Sequence, residues 1–251
     1  MEWFEELGFD SNPFDAGLEA SAKYAVGIDR PFEELEYYVD SGSVVFVEGP
    51  LGSGKSVLLW KLADRLGGRA VYADRSAGEP DVRSIMRKKT SFLDRLFGKT
   101  PRGIVLLIDN LANLSPLSQT AMSQLKYHYD NNYLGAVVFA GASFLSAGLS
   151  PALVDRIGSR VIKLSALAEN DAVFMVRNRL GSSAILGDES IRKLYKMSGK
   201  DPKRFLQLCE EACKVAVSSK SQTVGNEHIT SVKTSLNSSV GNVGEVGDLN
   251  G

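Results

Sequence analysis

Cysteine is scarce in this chain, with two residues, Cys209 and Cys213, among 251. That excludes a disulfide scaffold. The pair sits four residues apart in a stretch of helical periodicity, sharing a helix face on which a disulfide would be strained. With no histidine close by they make a poor zinc site, and they read as small buried hydrophobes. Long hydrophobic runs are missing too. None reaches the ~18–20 residues that a bilayer span needs, so no membrane span is expected. The amino terminus, Met1-Glu2-Trp3-Phe4-Glu5-Glu6, carries acid where a signal peptide carries base, and the chain is expected to be cytoplasmic. Net charge is nearly absent, with 29 Lys and Arg against 30 Asp and Glu. A surface that binds nucleic acid everywhere is thereby excluded, and any such contact must come from a local patch. What is present is ordinary globular composition, 43% hydrophobic and 24% charged, on a chain long enough for one large domain or two smaller ones.

Short apolar runs read as buried strands: Val44 to Val47, Ala70 to Ala73, Ile104 to Ile108, Ala136 to Ala140 and Val161 to Leu164. Helical spacing lies between them, as in Val57 to Leu66 and Leu117 to Tyr129. This alternation predicts an α/β fold, a parallel sheet flanked by helices. Beyond a boundary near Ala166 the pattern turns all-helical, through Glu169 to Leu180, Asp188 to Met197, Pro202 to Val217 and Asn226 to Leu236. Asp188 and Asn226 are the expected N-cap regions. The final residues 237–251 hold four Gly and three Asn with no aromatic or basic residue, and are expected to be a disordered tail.

The first expected strand runs into Gly49-Pro50-Leu51-Gly52-Ser53-Gly54-Lys55-Ser56 and then a helix from Val57. Gly, four residues, Gly-Lys and Ser is the phosphate-loop pattern. Glycines let backbone N–H groups turn toward a phosphate, and the helix N-terminus behind them favours negative charge. Lys55 is placed to reach the β- and γ-phosphates and Ser56 to ligate Mg²⁺; the bland alternative is a glycine-rich turn. A second strand, Ile104 to Ile108, delivers Asp109 at its end, where an α/β sheet places ligand chemistry. Asp109 is the expected second Mg²⁺ group, acting through water, against a plain Asp-Asn turn. Asn110 follows, where many such ATPases carry the Glu that polarises the attacking water. An amide orients water but accepts no proton. Hydrolysis of ATP to ADP is therefore expected to be slow, or to lean on another carboxylate such as Asp130.

With both motifs placed, the chain resembles AAA+ ATPases over most of Ser11 to Leu236. Within them it is most similar to archaeal initiator-type (origin-recognition-like) ATPases and to ATPases of the ExeA type. Asn12-Pro13-Phe14, Ala25-Val26-Gly27-Ile28-Asp29-Arg30 and Glu33-Glu34-Leu35 carry that resemblance. It implies a P-loop NTPase domain over 31–165, a helical lid over 166–236, and a linker over 1–30 that packs near the adenine through Val26, Gly27 and Ile28. It further implies a nucleotide-controlled oligomeric switch, a homo-oligomer with ATP or ADP at the subunit interfaces, and a protein client. Ser143 falls in the sensor 1 region, where a polar side chain touches the γ-phosphate or the lytic water; a capping serine is the alternative. Arg156, with Arg160 in reserve, matches the arginine finger that completes a neighbour's site, against an ordinary salt bridge. Lys203 and then Arg204 fall in the sensor 2 segment, against a solvated helix start. Initiator-type proteins continue into a winged-helix domain, whereas this chain ends after the lid, which weakens the expectation of a sequence-specific DNA role.

Charge is unevenly spread. The segment 75–102 holds eight of the 29 basic residues and three of the 30 acidic ones. It reads as a solvated helix, as a non-specific nucleic-acid contact, or as a protein-partner face, since Ile85, Met86, Phe92, Leu93, Leu96 and Phe97 interleave the charges. A DNA-associated replication, transposition or segregation factor is therefore the alternative to the ATPase switch, as is a scaffold in which ATP is largely structural.

Overall fold

The computed structural model describes residues 2–89, 102–111 and 117–241, with side chains to 234. The chain divides into two units, one formed by Leu18–Ala166 and the other by Met1–Gly17 together with Leu167–Gly251.

Helices α1 (Leu18–Lys23) and α2 (Asp29–Asp40) open the first unit. There follow β1 (Val44–Glu48), α3 (Lys55–Leu66), β2 (Ala70–Asp74), α4 (Val82–Lys89) and β3 (Ile104–Asp109). α5 (Gln119–Asp130), β4 (Leu134–Gly141), α6 (Pro151–Ile157) and β5 (Val161–Lys163) complete it. The five strands form one all-parallel sheet in the order β2-β3-β4-β1-β5. Central strands β1, β3 and β4 are almost wholly buried, as continuous apolar runs require when helices cover both faces. Strand alternation divides their side chains between two cores. Val45, Val47, Val105, Leu107, Val138 and Ala140 meet Leu35 and Val39 of α2 and Leu58, Leu59 and Leu62 of α3. Phe46, Leu106, Ile108, Val137 and Phe139 meet Met86 of α4, Leu125 of α5 and Ile157 of α6 on the opposite face.

The second unit holds α7 (Glu169–Leu180), α8 (Asp188–Met197), α9 (Pro202–Ser218) and α10 (Asn226–Gly241). Tyr195 and Phe205 meet edge to face at 5.2 Å in its interior. Cys209 and Cys213 are buried and free, and burial pushes the Cys213 thiol up to about 12 and the Cys209 thiol upward as well. They pack as small hydrophobes and are poor nucleophiles.

Some details differ from the sequence reading. The stretch 1–30 is not one linker, because its first seventeen residues belong with the helical unit. Buried Arg179 of α7 donates to the carbonyls of Pro13 (3.0 Å) and Asp15 (2.9 Å), and Trp3 stacks on buried Phe14. The N-cap of α8 is Gly187, since the Asp188 carboxylate is taken by Arg177 at 2.9 Å. Helix α10 continues to Gly241 rather than stopping at Leu236, as nothing in Asn237-Ser238-Ser239-Val240 interrupts it. The remainder of the expected tail, 242–251, lies outside the described residues.

Arg179→Met removes both charged donors and strands two carbonyls. A loss of about 2–4 kcal/mol in urea unfolding is expected, with earlier proteolytic cleavage within residues 1–17. Unchanged stability and cleavage would contradict this anchoring.

Candidate functional site

Because every strand is parallel, the carboxyl ends of β1, β2, β3 and β4 emerge along one edge of the sheet. The glycine loop springs from β1 at that edge. Gly52 (φ 77°) and Gly54 (φ 88°) take left-handed backbone, which a side chain resists, and α3 begins at Lys55 with Gly54 as its N-cap. Gly49 faces a tighter limit. A Cβ there would lie 2.5 Å from Ser53 Oγ and 2.7 Å from the Leu164 carbonyl. The Gly49 N–H donates to the Gly141 carbonyl, binding the loop's base to the end of β4. Lys55 Nζ donates to the carbonyls of Gly49 (2.7 Å) and Pro50 (2.8 Å). Burial pulls its pKa down, with the Asp109 charge acting in the other direction. Ser53 Oγ is buried with no partner among the described residues, and Leu51 stands 84% exposed at the tip. A cradle with no room for a Cβ, a half-buried lysine and an orphaned hydroxyl together fit a phosphate group.

Asp109 closes β3 fully buried. Its Oδ2 accepts from the Tyr72 hydroxyl of β2 at 2.6 Å, and its Oδ1 from the Asn110 N–H at 2.8 Å. Burial, that hydrogen bond and the charges of Asp109 and Asp74 drive the Tyr72 phenol above the ordinary tyrosine range, while the adjacent Ser56 hydroxyl works the other way. Tyr72 thus stays neutral and stands beside both residues expected to hold Mg²⁺, Ser56 and Asp109. The residues present fit that ion's preference for hard oxygen ligands.

Asn110 sits in left-handed backbone (φ 58°), a conformation asparagine tolerates better than most residues. Its Nδ2 donates to Asp74 Oδ1 at 2.8 Å and Ser76 Oγ at 3.2 Å. Tyr72 and Asp74 escaped the sequence reading. The available signal was that two strands both end in aspartate, Asp74 and Asp109, on what proved to be adjacent strands.

The other candidates divide. Ile28 is buried as the N-cap of α2, and a Cβ on Gly54 would come 3.8 Å from its Cγ2, so it packs beside the loop. Val26 is half-buried, and Gly27 is exposed with φ 74°. Val57 is half-buried in α3, against the core shared with Ile28. Half-buried Ser143 follows β4 at the same edge and makes no side-chain hydrogen bond among the described residues; the next N–H, of Phe144, donates to Glu48 Oε1 at 2.9 Å. Asp130 does not belong to this site. It ends α5 just ahead of β4, whose Leu134 pairs with Ile104 at the amino edge, and β3 alone separates the edges by about 17 Å. Asp130 instead accepts from Arg156 and from Lys126. Arg156 also lies over the Tyr129 ring at 5.1 Å, so the structure does not bring it to its own glycine loop. Arg160 closes α6 by donating to the Arg156 carbonyl at 2.8 Å. On the helical unit, Lys203 and Arg204 are exposed in the first turn of α9, capped by Asp201. Neither makes an ion pair among the described residues.

Comparison by sequence finds no matching family model and no matching curated protein. CDC6P from Pyrobaculum aerophilum superposes with a TM-score of 0.72 at 14% identity, over 90% of this chain and 71% of that one. The fold is that of the AAA+ ATPases. The RuvB Holliday junction branch migration motor of Thermotoga maritima matches at 0.64 and 16% identity, covering 90% and 74%. ORC1 of Aeropyrum pernix, solved in complex with DNA, matches at 0.64 and 15%, covering 84% and 65%.

Gly49→Ala forces the loop away from a backbone carbonyl that cannot rotate aside. Affinity for fluorescent MANT-ATP is expected to fall about 5- to 150-fold, the range set by about 1–3 kcal/mol of overpacking. Wild-type affinity in this variant would contradict the cradle.

Proposed function

We propose that the protein is an AAA+ ATPase that binds ATP with Mg²⁺ and works as a nucleotide-controlled oligomeric switch. The carrying observation is the convergence of Lys55, Ser56 and Asp109 at the carboxyl edge beside a loop that excludes a Cβ. Backbone N–H groups from Gly52 to Ser56 and the start of α3 hold the phosphates. Lys55 leaves the Gly49 and Pro50 carbonyls for the β- and γ-phosphates. Ser56 and Asp109 hold Mg²⁺, which neutralises phosphate charge when bound. Ile28, with Val26 and Gly27, lies on the adenine side. Ser143 is aimed from β4 at the reacting end of the nucleotide.

Arg156 serves a neighbouring copy. Its distance from its own loop, at the far edge with Asp130, suits a finger that acts between subunits, whereas Arg160 is spent on closing α6. Turnover is slow in the free subunit, because the finger is supplied only by assembly. Static light scattering tests this reading. ATP–Mg²⁺ is expected to raise the mass of the wild-type protein severalfold and to leave Lys55→Ala unchanged. A strictly monomeric wild-type protein overturns the switch.

A second reading, DNA association, is favoured by the exposed Arg83, Arg87 and Lys88 of α4, and by structural neighbours that include a branch-migration motor and a DNA-bound ORC1. Arg75 does not contribute, being buried, and residues 90–101 of the basic segment lie outside the described residues. Fluorescence anisotropy with duplex DNA is expected to show binding that weakens steeply between about 50 and 200 mM salt. Absence of binding at low salt, with and without ATP, removes this reading.

A further inference from the structure

Asn110 leaves the reaction without a proton acceptor at the end of β3, and the structure places a carboxylate on the next strand instead. β2 and β3 run in parallel with Tyr72 opposite Leu107 and Asp74 opposite Asp109. Opposed residues on paired strands share a face, as do residues two apart on one strand. Ala70, Tyr72, Val105 and Leu107 pack in the core that contains α3. Asp74 and Asp109 therefore both rise on the α3 side of the sheet, the side from which the glycine loop enters its helix. The Tyr72 hydroxyl, 2.6 Å from Asp109 Oδ2, fixes that orientation.

The two carboxylates have contrasting surroundings. Asp109 is fully buried, and both of its oxygens are engaged by protein donors. Asp74 is only half-buried. Its protein donors, Asn110 Nδ2 and the Ser76 N–H, both at 2.8 Å, converge on Oδ1, and its Oδ2 accepts no hydrogen bond among the described residues. Burial would raise the Asp74 carboxyl, but the Asn110 amide and the Ser76 N–H and hydroxyl outweigh it and hold it below the ordinary aspartate value. At neutral pH it is ionised.

We propose that Asp74 is the carboxylate that orients and deprotonates the attacking water, and that Asn110 positions it. This assignment rests on the ATPase reading above. The water oxygen bonds to the γ-phosphorus as the bond from that phosphorus to the bridging oxygen breaks, leaving its electron pair on ADP. Asp74 Oδ2 takes the proton released by the water and returns it to the phosphate product. Asn110 turns Asp74 through a single amide hydrogen bond, and its left-handed backbone sets the direction of that amide. Glu at position 110 would strain this backbone and press a second charge against Asp74, so Asn110→Glu by itself does not raise turnover.

The test compares wild type, Lys55→Ala, Asp74→Asn and the exchanged pair Asp74→Asn/Asn110→Asp. Three quantities are read: MANT-ATP affinity, melting temperature, and the rate at which bound ATP becomes ADP in a single turnover. Asp74→Asn is expected to bind MANT-ATP within about twofold of wild type and to melt within a few degrees of it. Its conversion of bound ATP should slow by about 10²-fold or more, the usual scale for losing a general base. The exchanged pair, which returns one carboxylate and one amide to the same contact, is expected to recover at least about tenfold of that loss. Wild-type conversion no faster than Lys55→Ala overturns the ATPase reading and this assignment with it. Robust wild-type conversion that persists undiminished in Asp74→Asn overturns the assignment alone. Loss of MANT-ATP binding in step with conversion also overturns it, by making Asp74 part of the binding framework.

Discussion

Parallel strand pairing is the constraint from which the rest of the molecule follows. In a sheet whose strands all point one way, each crossover helix must return the chain to the starting edge, and every strand end must emerge at the other. The residue after β1 and the residue ending β3 are sixty positions apart in sequence, yet pairing through β4 sets them on one edge. The same rule carries Asp130, at the end of a returning helix, to the opposite edge with Arg156. The candidate phosphate-loop residues and the Asp130–Arg156 pair are thus sorted to opposite edges by strand polarity before any side chain is chosen.

The parts most legible in the sequence were those in which one local pattern determines the outcome. Val44 to Val47 and Ile104 to Ile108 are short apolar runs closed by polar residues, and each is a buried strand. Glu169 to Leu180 and Asp188 to Met197 begin and end as their periodicity indicates. The glycine loop was legible because glycine, lysine and serine at fixed spacing have a mechanical reason to be there. Less legible were features that depend on distant partners. The first seventeen residues join the helical unit because an arginine more than 160 positions away satisfies their carbonyls. Arg75 counts as surface charge by composition and is buried in fact. Asp188 has a good capping side chain, but Arg177 claims it first.

The site itself was read from two of its three strands. Lys55, Ser56 and Asp109 follow from motif and strand end, whereas Tyr72 and Asp74 lie on an edge strand that is short and mostly half-buried. Their importance appears only once β2 is laid against β3. Asn110 then changes meaning. As an isolated residue it is a missing carboxylate; beside Asp74 it is one half of a hydrogen-bonded pair, in a backbone conformation that favours its short amide over a longer side chain.

The pairing of β2 with β3 also acts as a safeguard. Side chains alternate along a strand, so a shift of β2 by a single residue would send Tyr72 and Asp74 through to the opposite core and bring Val71 and Ala73 toward the loop. The hydrophobic pattern that keeps Ala70 inside and the phenol that grips Asp109 make such a shift unfavourable. On the assignment proposed for Asp74, strand alignment serves reactivity as well as folding, and a mutation that loosens this edge strand is expected to disarm the protein well before it unfolds it.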